Sequence, residues 1–172
     1  CEVLDGGVFS YCYSLKNVSI PNVRKVGYGC FNENKALTSI NLPKCTSIEG
    51  QGFANCYELK NVYAPLVTHI DDYSFANTPS LKKIELPECT DVAEGAFSKF
   101  LPDDWADRYT KNMDFALEEV SLPKCKHIGK NAFDGRLKLK KLTVAKDCEI
   151  DKENKTLNQL VDSGQLEITY VD

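Results

Sequence analysis

Apolar residues recur along the chain at a spacing that fits neither a helix nor a long strand. In residues 37–53, LTSINLPKCTSIEGQGF, they stand at the first position and then 3, 5, 8, 11 and 16 residues later. A helix repeats its apolar face every 3.6 residues, and a strand does so every second residue. Because neither period holds, the same offsets must be sought elsewhere in the chain before any element is assigned.

The offsets recur in six units. A phenylalanine marks each unit, and the first five phenylalanines lie 22 residues apart, whereas the last gap is 36 residues. The leucines at the first offset show the same spacing, and a proline follows the sixth position in five of the units. The chain is therefore predicted to consist of 22-residue repeats over residues 1–150, with 14 extra residues inserted within 98–114. The phenylalanine column comprises Phe9, Phe31, Phe53, Phe75, Phe97 and Phe133.

Each repeat is expected to contain one short strand. In LKNVSIP (15–21), the side chains of Leu15, Val18 and Ile20 point inward, while Asn17 and Ser19 point outward. The proline ends the strand because it cannot donate to a ladder. One unit cannot bury its own apolar stripe, so the repeats must stack into a continuous core.

The first four offsets match the leucine-rich repeat pattern L-x-x-L-x-L-x-x-N/C. The segments LPKCTSIEGQGFANCYELKNV (42–62) and LPKCKHIGKNAFDGRLKLKKL (122–142) resemble the BspA-like, Treponema-type variant of that repeat. The resemblance implies an α/β-type repeat fold. This fold is a curved, right-handed leucine-rich-repeat solenoid with one parallel sheet on its concave face and little regular helix. Cys1 stands in a mid-repeat column, so the chain is interpreted as beginning inside a repeat of a longer protein.

Residues 151–172 depart from the repeat and are interpreted as a C-terminal cap. Leu157, Leu160 and Val161 have helical spacing, and Gly164 is a typical stop signal. The final segment QLEITYVD alternates like a strand. A solenoid needs a polar cover over its exposed last turn, and these two elements would supply it.

Charge and cysteine usage narrow the classes of partner. The net charge is -4 with both signs dispersed, which argues against nucleic acid, and the chain has no apolar run long enough for membrane insertion. Six of the eight cysteines fall in two repeat columns, and all eight are expected to be buried free thiols. Only Cys89 and Cys125 occupy adjacent units of one column, so they are the pair best placed to bond.

The outward positions of the predicted strands form two polar columns, which are the candidate ligand-binding surface. Solenoids commonly bind through such a face, and Tyr63 is the one aromatic residue in it. The alternative is a merely solvated sheet face. The candidate binding residues here are Asn41, Asn61, Tyr63, Lys83 and Glu85.

The insert contributes three more candidates, Trp105, Arg108 and Tyr109, because insertions in repeat proteins map to loops that often lie on the binding face. The alternative is that its aromatic residues only pack back on the edge of the solenoid.

Both histidines fall in one repeat column, with an aspartate between them. His69, Asp91 and His127 are a weak candidate for a divalent metal or for a pH-sensitive edge. The alternative is three exposed polar residues at a variable position. No cofactor is expected, and none of the common enzyme motifs is present in the sequence.

The favoured interpretation is a non-enzymatic protein-binding module. The resemblance implies adhesion by a bacterial cell-surface or secreted protein, with a host matrix glycoprotein as the suggested partner. One rival interpretation is a structural spacer that displays another domain. A second is an intracellular interaction scaffold, which the many unpaired cysteines would suit.

Overall fold

The computed structural model describes residues 1–99 and 113–172. Its strands stack in parallel into a solenoid of about seven turns with little helix, which confirms the predicted fold class. Each of the strands β3, β5, β7, β9 and β11 begins at the third residue of the L-x-x-L-x-L motif, where apolar and polar residues alternate. The motif strands are β3 Ser39–Asn41, β5 Asn61–Tyr63, β7 Lys83–Glu85, β9 Glu119–Leu122, β11 Lys141–Ala145 and β13 Glu167–Val171.

A second sheet, which the sequence reading did not include, closes the other side of each turn. It has seven strands of two residues, and in most of them an exposed or half-buried residue precedes a buried one. The strands are β1 Val3–Leu4, β2 Lys25–Val26, β4 Ser47–Ile48, β6 His69–Ile70, β8 Asp91–Val92, β10 His127–Ile128 and β12 Glu149–Ile150.

The motif strands do not form one uninterrupted sheet. β3 pairs with β5, and β7 pairs with β9, β11 and β13 in turn, so the hydrogen-bonded ladder is interrupted between β5 and β7 among the described residues. The seven-stranded sheet runs past this point without a break. The second sheet therefore carries the continuity of the solenoid where the first one is interrupted.

The phenylalanine column forms the centre of the core. Neighbouring rings stack almost parallel, with centroids 5.1–5.6 Å apart, from Phe9 through to Phe133. All of these rings except Phe9 are fully buried. The rings form one continuous core together with the inward leucine, isoleucine and valine side chains of the two sheets.

Two residues in left-handed conformation bend most repeats, one on either side of the phenylalanine. Glycine and asparagine tolerate a positive φ best, and they occupy many of these positions. Asparagine also ties successive repeats together at the second position, where the Asn77 amide donates to the Asn55 side chain at 2.6 Å and Asn55 donates to Asn32 at 3.1 Å. The second positions are Tyr11, Glu33, Asn55, Asn77 and Gly135, with φ between 57° and 72°.

Arg136 is fully buried and joins three successive repeats next to the insertion point. Its Nε donates to the Phe97 carbonyl, and its Nη atoms donate to the Thr78 carbonyl at 3.2 Å, the Thr78 hydroxyl at 3.1 Å and the Phe75 carbonyl at 3.2 Å. The guanidinium also lies 4.7 Å from the centroid of the Phe115 ring. Burial lowers its pKa to about 9, so it stays charged at neutral pH.

The C-terminal segment contains a helix and a strand where the spacing predicted them. Helix α1, Lys155–Asp162, buries Leu157 and Leu160, and β13 extends the motif sheet by pairing with β11. No helix in the described ranges has the length and apolarity needed to cross a membrane. The interpretation of this segment as a cap stays a prediction.

The cysteines are all free, but they are not all buried. Cys30, Cys45, Cys56, Cys89 and Cys125 lie in the core, as expected. The expectation was wrong for the other three, since Cys1 and Cys12 are exposed and Cys148 is half-buried.

Candidate functional site

A shallow depression of about 860 Å³ opens on the outward side of strands β3, β5, β7 and β9. We call this surface the Tyr63 face. Alternation along each strand points every second side chain into it, and parallel pairing in register aligns the same position of successive repeats. The structure thus brings together the five predicted binding residues of the described chain, Asn41, Asn61, Tyr63, Lys83 and Glu85.

On the half of the Tyr63 face that β3 and β5 form, the strand residues themselves are uncharged, and Lys60 stands directly before β5. Tyr63 is 58% exposed, and the exposed amides of Asn41 and Asn61 flank it on β3 and β5. Ser39 adds a hydroxyl, and Val62, which also lines the depression, is only half-buried, unlike Ile40 and Ile84 at the same position of neighbouring repeats. This half offers an aromatic surface beside groups that both donate and accept hydrogen bonds.

The other half carries charges that pair across the strands. Nζ of Lys83 lies 2.8 Å from Oε1 of Glu85 on the same strand and 3.5 Å from Oε2 of Glu119 on the next strand. The hydrogen bond with Glu85 raises the pKa of Lys83. Glu118 is held by Lys140 at 2.9 Å and by Lys82 at 3.5 Å, and the bond from Lys140 lowers its pKa. Since these pairs are exposed, they orient one another and contribute little to stability.

Among the lining residues that the sequence did not single out are three charged ones, Lys60, Lys82 and Glu118. They occupy the repeat position directly before the strand, which falls outside the outward columns used for the prediction. All three would have been included if the repeat position one residue before the outward columns had been considered as well. Long side chains at this position reach over the strand edge.

The two histidines and Asp91 lie together on the seven-stranded sheet, on a different surface from the Tyr63 face. Oδ2 of Asp91 lies 2.9 Å from Nδ1 of His69, and Oδ1 of Asp91 lies 2.9 Å from Nδ1 of His127. The register of β6, β8 and β10 puts them side by side. The weak metal assignment is not supported, because no group of three or more His, Cys, Asp or Glu side chains in the described ranges is placed to hold a metal ion. One carboxylate between two rings instead makes a hydrogen-bonded row.

The insert candidates Trp105, Arg108 and Tyr109 lie outside the described residues. Their assignment to a binding loop stays a prediction.

A family model for the BspA type leucine-rich repeat region matches residues 1–101 and 110–156 in six copies. The chain belongs to the BspA-type leucine-rich repeat family. The six copies agree with the six repeats found from the column spacing. No curated protein matches this BspA-type chain significantly in sequence.

Two solved structures share the fold. A leucine-rich repeat protein from Bacteroides ovatus ATCC 8483 aligns over 99% of this BspA-type chain with a TM-score of 0.71 and 21% identity. The T. pallidum leucine-rich repeat protein aligns over 98% of it with a TM-score of 0.55 and 18% identity. The chain spans 40% of the length of the former and 80% of the latter. At these identities the likeness speaks for the fold alone.

Proposed function

We propose that this BspA-type chain is a non-enzymatic module that binds a protein through the Tyr63 face. The observation that carries the proposal is that one depression gathers an exposed tyrosine, two amides and two sets of exposed ion pairs. Leucine-rich repeat proteins are generally interaction modules, and repeat arrays present extended binding surfaces of this kind. The specific role we propose is adhesion by a bacterial surface or secreted protein, with a matrix glycoprotein of the host as partner.

The expected energetic centre is Tyr63. Interface hot spots favour tyrosine, which adds apolar area and a hydroxyl at a low cost in conformational entropy. The half-buried Val62 adds apolar surface to the same depression. The charged half supplies orientation and salt dependence more than affinity.

The test is biolayer interferometry of the chain against immobilised matrix glycoproteins such as fibronectin and laminin. Tyr63→Ala is compared with Tyr28→Ala, because Tyr28 is also 58% exposed but lies outside the depression. We expect micromolar or tighter binding that falls at least tenfold in Tyr63→Ala and stays unchanged in Tyr28→Ala. Equal loss in both variants, or no loss in either, would contradict the proposed site. Absence of any binding by the folded chain would favour the spacer function.

A further inference from the structure

The turn between β11 and β12 brings Cys148 against Cys125 of the preceding repeat. Within this turn Cys148 N donates to Ala145 O at 3.0 Å, and Ala145 N in turn donates to Cys125 O at 3.2 Å. On its other side, Glu149 N donates to Lys126 O at 2.8 Å, and the strands that follow pair in register. The two backbones are thus hydrogen-bonded on both sides of Cys148, and the Cys148 side chain packs against the core cluster that includes Cys125.

The two thiols differ in access and acidity. Cys148 is half-buried and open to solvent, whereas Cys125 is fully buried behind it. The neighbouring Cys125 thiol lowers the pKa of Cys148. The neighbouring Cys148 thiol, together with burial, raises the pKa of Cys125. A reachable thiol with a lowered pKa next to a buried one is the arrangement of an attacking and a resolving cysteine.

We propose that Cys125 and Cys148 are an oxidation site that closes to an intramolecular disulfide when the chain meets a small disulfide such as oxidised glutathione. The Cys148 thiolate attacks one sulfur of glutathione disulfide, and one glutathione leaves as its thiolate. Cys125 then loses its proton and attacks the Cys148 sulfur, which displaces the second glutathione. Two protein thiols are oxidised, and one glutathione disulfide is reduced to two glutathione thiols.

The bond would hold the last turn of the solenoid to the preceding repeat. That turn also holds the C-terminal strand, since Lys146 N donates to Val171 O at 2.8 Å and the Lys146 ammonium lies 3.1 Å from Asp172. Neighbouring hydrogen-bonded strands lie about 4.8 Å apart, and a disulfide spans Cα atoms roughly 4.4–6.8 Å apart.

The test is oxidation of the reduced, folded chain with glutathione disulfide, followed by alkylation and tryptic mass mapping. Trypsin separates the three relevant cysteines, because Cys125 falls in residues 125–126, Cys148 in 147–152 and Cys89 in 84–99. We expect a linked peptide of 125–126 with 147–152, lighter than its two reduced parts by about 2 Da, the two hydrogens lost. Cys125→Ala should trap glutathione on Cys148, whereas Cys12→Ser, at an exposed cysteine outside the pair, should leave the linked peptide unchanged.

If a variant fails to fold, the peptide map of the oxidised wild-type chain still tests the proposed disulfide. Glutathione retained on Cys148 with Cys125 alkylated would overturn the proposal. A link from Cys125 to Cys89 would overturn it as well.

Discussion

Replacement of Arg136 by methionine is expected to destabilise the solenoid by about 2–4 kcal/mol. Methionine keeps an unbranched, flexible side chain in the same space, so the change removes mainly the guanidinium. Among the described residues, that group is the sole donor to the Phe97 carbonyl. It also bonds Thr78 and Phe75, which both lie in the repeat before that of Phe97.

The magnitude follows from what each acceptor retains. The Phe75 carbonyl keeps the Thr78 hydroxyl at 2.8 Å, and the Thr78 carbonyl keeps Leu81 N at 3.4 Å. The Phe97 carbonyl then has no donor among the described residues, and a buried carbonyl without a partner costs about 1–3 kcal/mol. Several charge-assisted bonds of about 1.5–3 kcal/mol each are lost too, but the variant no longer desolvates a cation, which returns several kcal/mol. The lost interactions outweigh the recovered desolvation energy, and the net loss of stability is the about 2–4 kcal/mol given above.

Urea unfolding followed by far-ultraviolet circular dichroism measures the difference. The matched control is Arg24→Met, because the Arg24 side chain is 61% exposed and pairs with Glu2 at 3.5 Å. We expect that variant to stay within about 0.5 kcal/mol of wild type. An Arg136→Met chain as stable as wild type, or more so, would refute the reasoning, since desolvation would then outweigh the bonds that Arg136 makes.

Three further outcomes are expected. Phe75→Ala, which interrupts the ring stack, should cost about 3–5 kcal/mol in the same unfolding assay, and Phe75→Leu should cost less. Asn55→Ala should be less stable than Asn55→Gly by about 1 kcal/mol, because Asn55 has a φ of 58° and both variants lose its bond with Asn77. Burial and the nearby Glu94 carboxylate raise the pKa of Tyr73 to about 12. The folded chain therefore holds a proton that the unfolded chain loses near pH 10, and stability should fall between pH 10 and 12, less steeply in Tyr73→Phe. An ultraviolet titration in which Tyr73→Phe removes no group titrating near pH 12 would contradict this.

The motif strands and the core were predictable because six repeats test the same columns independently. A position that is apolar in every unit, such as that of Phe53 or Leu59, must face a shared interior. Strand alternation then placed Tyr63 and Asn41 outward, which is where the structure has them.

The second sheet was missed for a physical reason. Its strands have only two residues, as in His69–Ile70, so no alternation develops that a sequence pattern can register. Arg136 was missed because its column also holds cysteine, asparagine and threonine, and an arginine there suggests exposure. Only the structure shows that its guanidinium reaches back past the insertion point. The repeat spacing likewise aligned Cys125 with Cys89, whereas in the structure the tight turn between β11 and β12 brings Cys148 close to Cys125.

Hydrogen–deuterium exchange on the complex with the glycoprotein that binds best shows whether the Tyr63 face is the binding surface. We expect slower exchange on binding in residues 39–41, 61–63 and 83–85, the segments that line the depression. The two-residue strands around His69 and Asp91, on the seven-stranded sheet, should be unaffected. Protection confined to the seven-stranded sheet, with none around Tyr63, would show that the Tyr63 face is not the binding surface.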